Sequence, residues 1–252
     1  MASQMNKTPL VMYELLLLGE TGAGKSTFIV EAIRANAKKL PRIGHGLCGC
    51  TQEVEIYEAK HPTNPAKLVR LVDTPGFNDE SMEEEDRDKL GKIIEWLKRI
   101  YNVATETRPS DEGPIFVIYL LDITQPRLET APSATMGAAK IPPPRGVMLV
   151  TTKWIDENDQ DPVKLSHQRD IEDCFEDCEV EPFYKSGISA WEVLDHARSL
   201  ESTQREQVVA KLETVRKNLT SVSKNNGTKV QRFAGRFIAL FTGQKNSPAR
   251  KN

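Results

Sequence analysis

Nine residues, "GETGAGKST" from Gly19 to Thr27, set a lysine and several hydroxyls into a glycine-rich stretch. Gly19, Gly24, Lys25 and Ser26 fit the spacing G-x-x-x-x-G-K-[ST], in which backbone N–H groups close round a phosphate chain. Glu20, Thr21, Gly22 and Ala23 complete the loop, and Thr27 closes the motif. Lys25 is expected to reach the β- and γ-phosphates and Ser26 to bind Mg2+. A helix beginning near Lys25 adds its positive dipole end.

The second half of such a site is "LVDTPG". Asp73 ends an apolar strand, where a carboxylate holds Mg2+ through water. Gly76 can bring its backbone N–H to the γ-phosphate, and the polar segment "FNDESMEEED" after it suits an order–release switch. One more hydroxyl is needed for the metal. Thr51, in "GLCGCTQEVEI", lies just before the strand that precedes Asp73; Thr63 falls in a hairpin turn and is the weaker choice. The catalytic set is therefore Lys25, Thr51, Asp73 and Gly76, and the metal set Ser26, Thr51 and Asp73.

These residues need strands ahead of them and helices behind. Residues 11–18 read as a short buried strand, and "KSTFIVEAIRANAKK" as the helix after the loop. "TQEVEIYEAK" and "AKLVRLVDTPG" read as strands joined by the turn "HPTNP", and "EEDRDKLGKIIEWLKRIYNVAT" as an amphipathic helix. "PIFVIYLLDI" and "RGVMLVTTKW" are strands, the first of the continuously apolar, buried parallel kind, and "DPVKLSHQRDIEDCFEDC" is helical. "EPFYKSG" is read as a short strand. From Ser189 the pattern is helical almost to the end, with Val208, Leu212, Val215, Leu219 and Val222 forming one seam. Alternating strands and helices predict an α/β P-loop NTPase G domain over residues 1–195, with a mostly parallel sheet covered by helices on both faces. A helical C-terminal extension, packed on it or projecting from it, is expected over residues 196–252.

"GETGAGKST", "CTQEV" and "DTPGF", with "VTTKW" and "SAWEVLD", resemble the G domains of the septin-related GTPases. The likeness is to the avirulence-induced and immunity-associated type and to the chloroplast import-receptor GTPases, with fungal G-domain proteins of that group nearest. It covers roughly residues 11–195. The resemblance implies GTP and GDP as ligands, Mg2+ dependence, slow hydrolysis and pairing of two G domains across the nucleotide. It implies that backbone N–H groups of Ser189 and Ala190 meet the guanine oxygen, with Trp191 able to pack on the base. Arg127 matches an arginine of the family, reaching a partner's phosphates or steadying a loop.

A guanine-specific site usually ends a strand with [NT]-K-x-D. Thr152 and Lys153 fit, but Ile155 holds the fourth position and the aspartate comes one residue late, at Asp156. Either the loop bulges and Asp156 still reaches the base, or the carboxylate contact is missing and selectivity suffers. GTP is favoured; an ATP-binding or promiscuous relative is the alternative, and a non-hydrolysing scaffold whose nucleotide gates dimerisation is another. No glutamine follows "DTPG", where Phe77 stands, so a slow GTPase is expected.

Charge narrows the partners. With 34 basic and 36 acidic residues among 252, the chain lacks a basic excess, which predicts no nucleic-acid partner. No stretch has signal-peptide or membrane-spanning character, so a cytoplasmic location is expected. A helix over 229–241 carries three phenylalanines on one face with Lys229, Arg232 and Arg236 around it. It either folds back on the protein or meets a membrane surface, with folding back favoured. The four cysteines, Cys48, Cys50, Cys174 and Cys178, read as free thiols.

Overall fold

Leu15, Leu16, Leu17 and Leu18 are all buried, as in a strand covered on both faces. In the computed structural model they belong to β1 (Val11–Gly19). The structure describes residues 11–34, 40–41, 51–64, 67–77, 83–104, 115–125, 147–175, 178–200 and 202–222. The expected helix over 229–241, Arg127, Cys48 and Cys50 lie outside them, as do the side chains of Cys174, Leu219 and Val222.

After β1 come α1 (Lys25–Ile33), β2 (Glu55–Lys60), β3 (Lys67–Asp73), α2 (Glu83–Ala104) and β4 (Ile115–Asp122). They are followed by β5 (Val147–Thr152), α3 (Pro162–Cys174), β6 (Glu179–Pro182), α4 (Gly187–Ser199) and α5 (Arg205–Val222). The six strands form one sheet in the order β2-β3-β1-β4-β5-β6. Every pairing is parallel except β2 with β3, which the turn around His61–Asn64 folds into an antiparallel edge.

Each face of the sheet has its own core. Leu15, Leu17, Leu71, Ile118 and Val150 pack under Phe28 and Ile29 of α1 and Trp191 and Leu194 of α4. Leu16, Leu18, Val72, Val117 and Leu149 pack under α2, α3 and α5 through Leu90, Ile93, Ile171, Val208 and Leu212. The seam read over 208–215 therefore packs into this core: Val208, Leu212 and Val215 are all buried. Register aligns Leu17 with Asp73, Gly19 with Leu120, and Asp122 with Thr152, which gathers the carboxyl ends of four strands at one edge. That edge is where ligands of open α/β sheets bind.

Two sequence expectations need correcting. β6 ends at Pro182, so Phe183–Ser186 is a loop and not a strand, and Gly187 begins α4. The C-terminal helix is also interrupted: Leu200 is extended and the Thr203 N–H donates to Ile115 O at 3.2 Å, extending the sheet at that point. The side chains of Arg205 and the buried Glu14 then form a part-buried ion pair that fixes the start of α5 against β1.

Candidate functional site

The loop after β1 folds because its glycines permit what other residues do not. Gly19 has φ +146°, and a Cβ there would meet Leu120 O at 2.5 Å. Lys25, the first residue of α1, is buried with Nζ donating to Gly19 O and Glu20 O, each at 2.9 Å. Burial pushes its ammonium down to about 8, while Asp73 and Glu20 pull it up and Lys89 of α2 pushes it down further.

Ser26, one residue on, turns its hydroxyl to the end of β3 and donates to Asp73 Oδ2 at 3.0 Å. Thr51 donates to the same oxygen at 3.1 Å, and the two hydroxyl oxygens lie 3.5 Å apart. Three residues distant in sequence thus meet at one point. Asp73 is 1% exposed, and its Oδ1 has no hydrogen-bond partner among the described residues. Burial raises its pKa, against the pull of Lys25, Ser26 and Thr51. A buried carboxylate with an orphaned oxygen beside two hydroxyls fits the hard, oxygen-liganded Mg2+. Thr63 is exposed in the β2–β3 turn and takes no part.

Gly76 lies directly against the phosphate loop. A Cβ on it would stand 2.7 Å from Thr21 Cα, so only glycine lets the segment after β3 lie against the phosphate loop. Main-chain bonds join the two: Thr21 N to Phe77 O at 2.6 Å and Phe77 N to Gly19 O at 3.2 Å. The Thr21 amide, and that of Ala23, which donates to Glu20 O, are therefore engaged within the protein. Gly22, Gly24 and Thr27 lie in the loop and the first turn of α1.

The base end needs more correction. Thr152 Oγ1 donates to Ala23 O at 2.9 Å and ties the end of β5 to the phosphate loop. Lys153 is exposed at φ 69°, a left-handed conformation uncommon outside glycine. Asp156, one residue past the fourth position, accepts from Asn158 N through Oδ1 at 2.8 Å and shapes the loop, while Ile155 points out at 77% exposure. Ser189 and Ala190 are buried within α4, and their N–H groups donate to Ser186 Oγ and Ser186 O. Both donors expected at the base are thus spent on Ser186. Trp191 faces the other way, donating from Nε1 to Ala32 O at 3.0 Å and packing edge-on against His61.

The loop that does reach this edge is Phe183–Ser186, which the sequence reading hid inside a strand. Lys185 there has φ 52°, so the two left-handed non-glycine residues among those described are lysines following adjacent strands. Backbone strain of this kind clusters at functional sites. Two sequence signals marked the loop. Pro182 cannot donate to the ladder, and Ser186 caps α4 by accepting from Ser189 N.

Residues 14–122 match a family model described as 50S ribosome-binding GTPase. No curated protein matches the chain. Era, solved with MgGDPNP and a segment of 16S ribosomal RNA, is similar at 17% identity and TM-score 0.51, over 77% of this chain and 59% of that one. A variant of Aquifex aeolicus Era bound to GDP and AlF4− is similar at 17% identity and TM-score 0.50, over 77% and 58%. The chain thus spans less than two thirds of the length of these structures. At such identity the likeness is one of fold, and the fold is that of a P-loop GTPase G domain. The expected exclusion of nucleic acid is overturned by the Era structure, in which a protein of this fold holds ribosomal RNA. Net charge sums over the whole chain, whereas RNA phosphates are met by local lysine and arginine clusters.

Proposed function

We propose that this chain is a GTP-binding switch of the septin-related branch that hydrolyses GTP slowly with Mg2+ and pairs through its G domain in the cytoplasm. The observation that carries the reading is the meeting of Ser26, Thr51 and Asp73 beside the buried Lys25. Lys25 would neutralise the β- and γ-phosphates, and Ser26, Thr51 and Asp73 would hold Mg2+, whose charge offsets that developing on the transferred phosphoryl group. The match of residues 14–122 to a GTPase model supports GTP and GDP as the ligands. The septin-related placement rests on "DTPGF" and "VTTKW".

Slow turnover is supported by the residue that follows Gly76. Phe77, fully buried, occupies the position after Gly76 where a water-orienting glutamine would serve. Pairing would then supply the missing group, and turnover per chain should rise with protein concentration; a constant rate over a hundredfold range, about two decades, counts against pairing.

Titration of GTP and GDP onto the protein, with Mg2+ and with chelator, tests the core reading. Binding should need the metal, and Asp73→Asn should weaken it about tenfold to a hundredfold. Binding of equal strength in chelator, or an indifferent Asp73→Asn, would sink the assignment.

A further inference from the structure

Guanine differs from hypoxanthine only in its 2-amino group, a donor that a site distinguishes by offering an acceptor to it. The loop between β5 and α3 contains four carboxylates, Asp156, Glu157, Asp159 and Asp161. Three accept hydrogen bonds that build the loop, Asp159 through both oxygens and Asp156 and Asp161 through Oδ1. Asp156 Oδ1 accepts from Asn158 N. Asp159 accepts from Ile155 N at 3.0 Å, Lys164 Nζ at 2.7 Å and Asp161 N at 3.1 Å. Asp161 caps α3, accepting from Val163 N and Lys164 N. The fourth, Glu157, is exposed and lies near enough to Tyr184 to raise its hydroxyl's pKa, after burial.

A slip of one residue would be needed to bring Asp156 where Ile155 stands. The loop is pinned on both sides of that slip. Lys164 Nζ donates to Lys153 O at 2.9 Å, the Trp154 indole donates to Thr151 Oγ1 at 3.0 Å, and Ile155 N is held by Asp159. Slipping would break all three contacts, two of them made by the buried side chains of Lys164 and Trp154.

We propose that the base site does not read the purine 2-amino group, so that 6-oxopurine nucleoside triphosphates with and without it, GTP and ITP, are bound alike. Ile155 is the residue that sets this. The proposal rests on the nucleotide-binding reading above, and the test separates the two.

Dissociation constants for GTP and ITP with Mg2+ are measured on the full chain and on Ile155→Asp, Asp156→Ala and Glu157→Gln. Ile155 is exposed, so the aspartate carries no folding burden. The unaltered protein should bind the two nucleotides within about threefold of one another, as should Asp156→Ala and Glu157→Gln. Ile155→Asp should favour GTP by about tenfold to a hundredfold. A preference for GTP of about tenfold or more in the unaltered chain overturns the proposal, and loss of that preference in Asp156→Ala or Glu157→Gln names the true reader. Equal binding that persists in Ile155→Asp overturns the assignment of Ile155. Failure of both triphosphates to bind defeats the nucleotide reading and the proposal with it.

Discussion

Asp159 shows how much work one carboxylate does without touching a ligand. The Lys164 ammonium, then the Ile155 N–H, hold its pKa down from the ordinary 3.8 to about 2. A depressed carboxylate stabilises the fold above its unfolded pKa, and the contribution is lost as pH falls through the folded value. Asp159→Asn should therefore be less stable than the unaltered chain at neutral pH, and the gap should close as pH falls from about 4 towards about 2. Urea midpoints across that range would show it; a gap independent of pH would mean that the charge is immaterial. At this scale the sequence was readable where a motif fixes spacing, as at Gly19, Lys25, Ser26 and Asp73. It was unreadable where a neighbour consumes the group. Nothing in "SAW" announces that the Ser189 and Ala190 amides are spent on Ser186.

α5 depends on packing for its place. Its seam of Val208, Leu212 and Val215 lies in the same core as Leu90 and Ile93 of α2. Lys98 and Glu213 join the two helices at the surface at 2.6 Å. Leu212→Ala should destabilise the protein by about 2–5 kcal/mol, since the side chain is wholly buried. A shift in the urea midpoint corresponding to less than about 1 kcal/mol would mean that α5 is loosely docked. The seam was legible from its spacing, and so were most strands, because a short apolar run flanked by turn residues has few alternatives. The break before α5 was not. It contains no glycine or proline; a main-chain bond from Thr203 to Ile115 and the Arg205–Glu14 ion pair hold it, and both are tertiary.

Across the molecule, the phosphate loop and the segment after β3 behave as one piece. Thr21, Gly76 and Phe77 are joined by main-chain bonds and by a contact only glycine allows. Gly76→Ala should separate them, lowering stability by about 1–3 kcal/mol and weakening nucleotide binding with it. Denaturation and nucleotide titration on the same variant would check both, and unchanged values would show that the two segments part freely. The overall topology was legible because alternating strands and helices admit few arrangements. The junction of the two segments was not, since it turns on a distance between residues more than fifty positions apart. The lysine beneath this junction leads to a kinetic expectation. Lys25 is aimed by the fold itself, its ammonium tethered to two carbonyls of the phosphate loop. Its rotamer freedom was surrendered during folding, so an incoming nucleotide need not supply that ordering, and encounters can become productive without a search by the side chain.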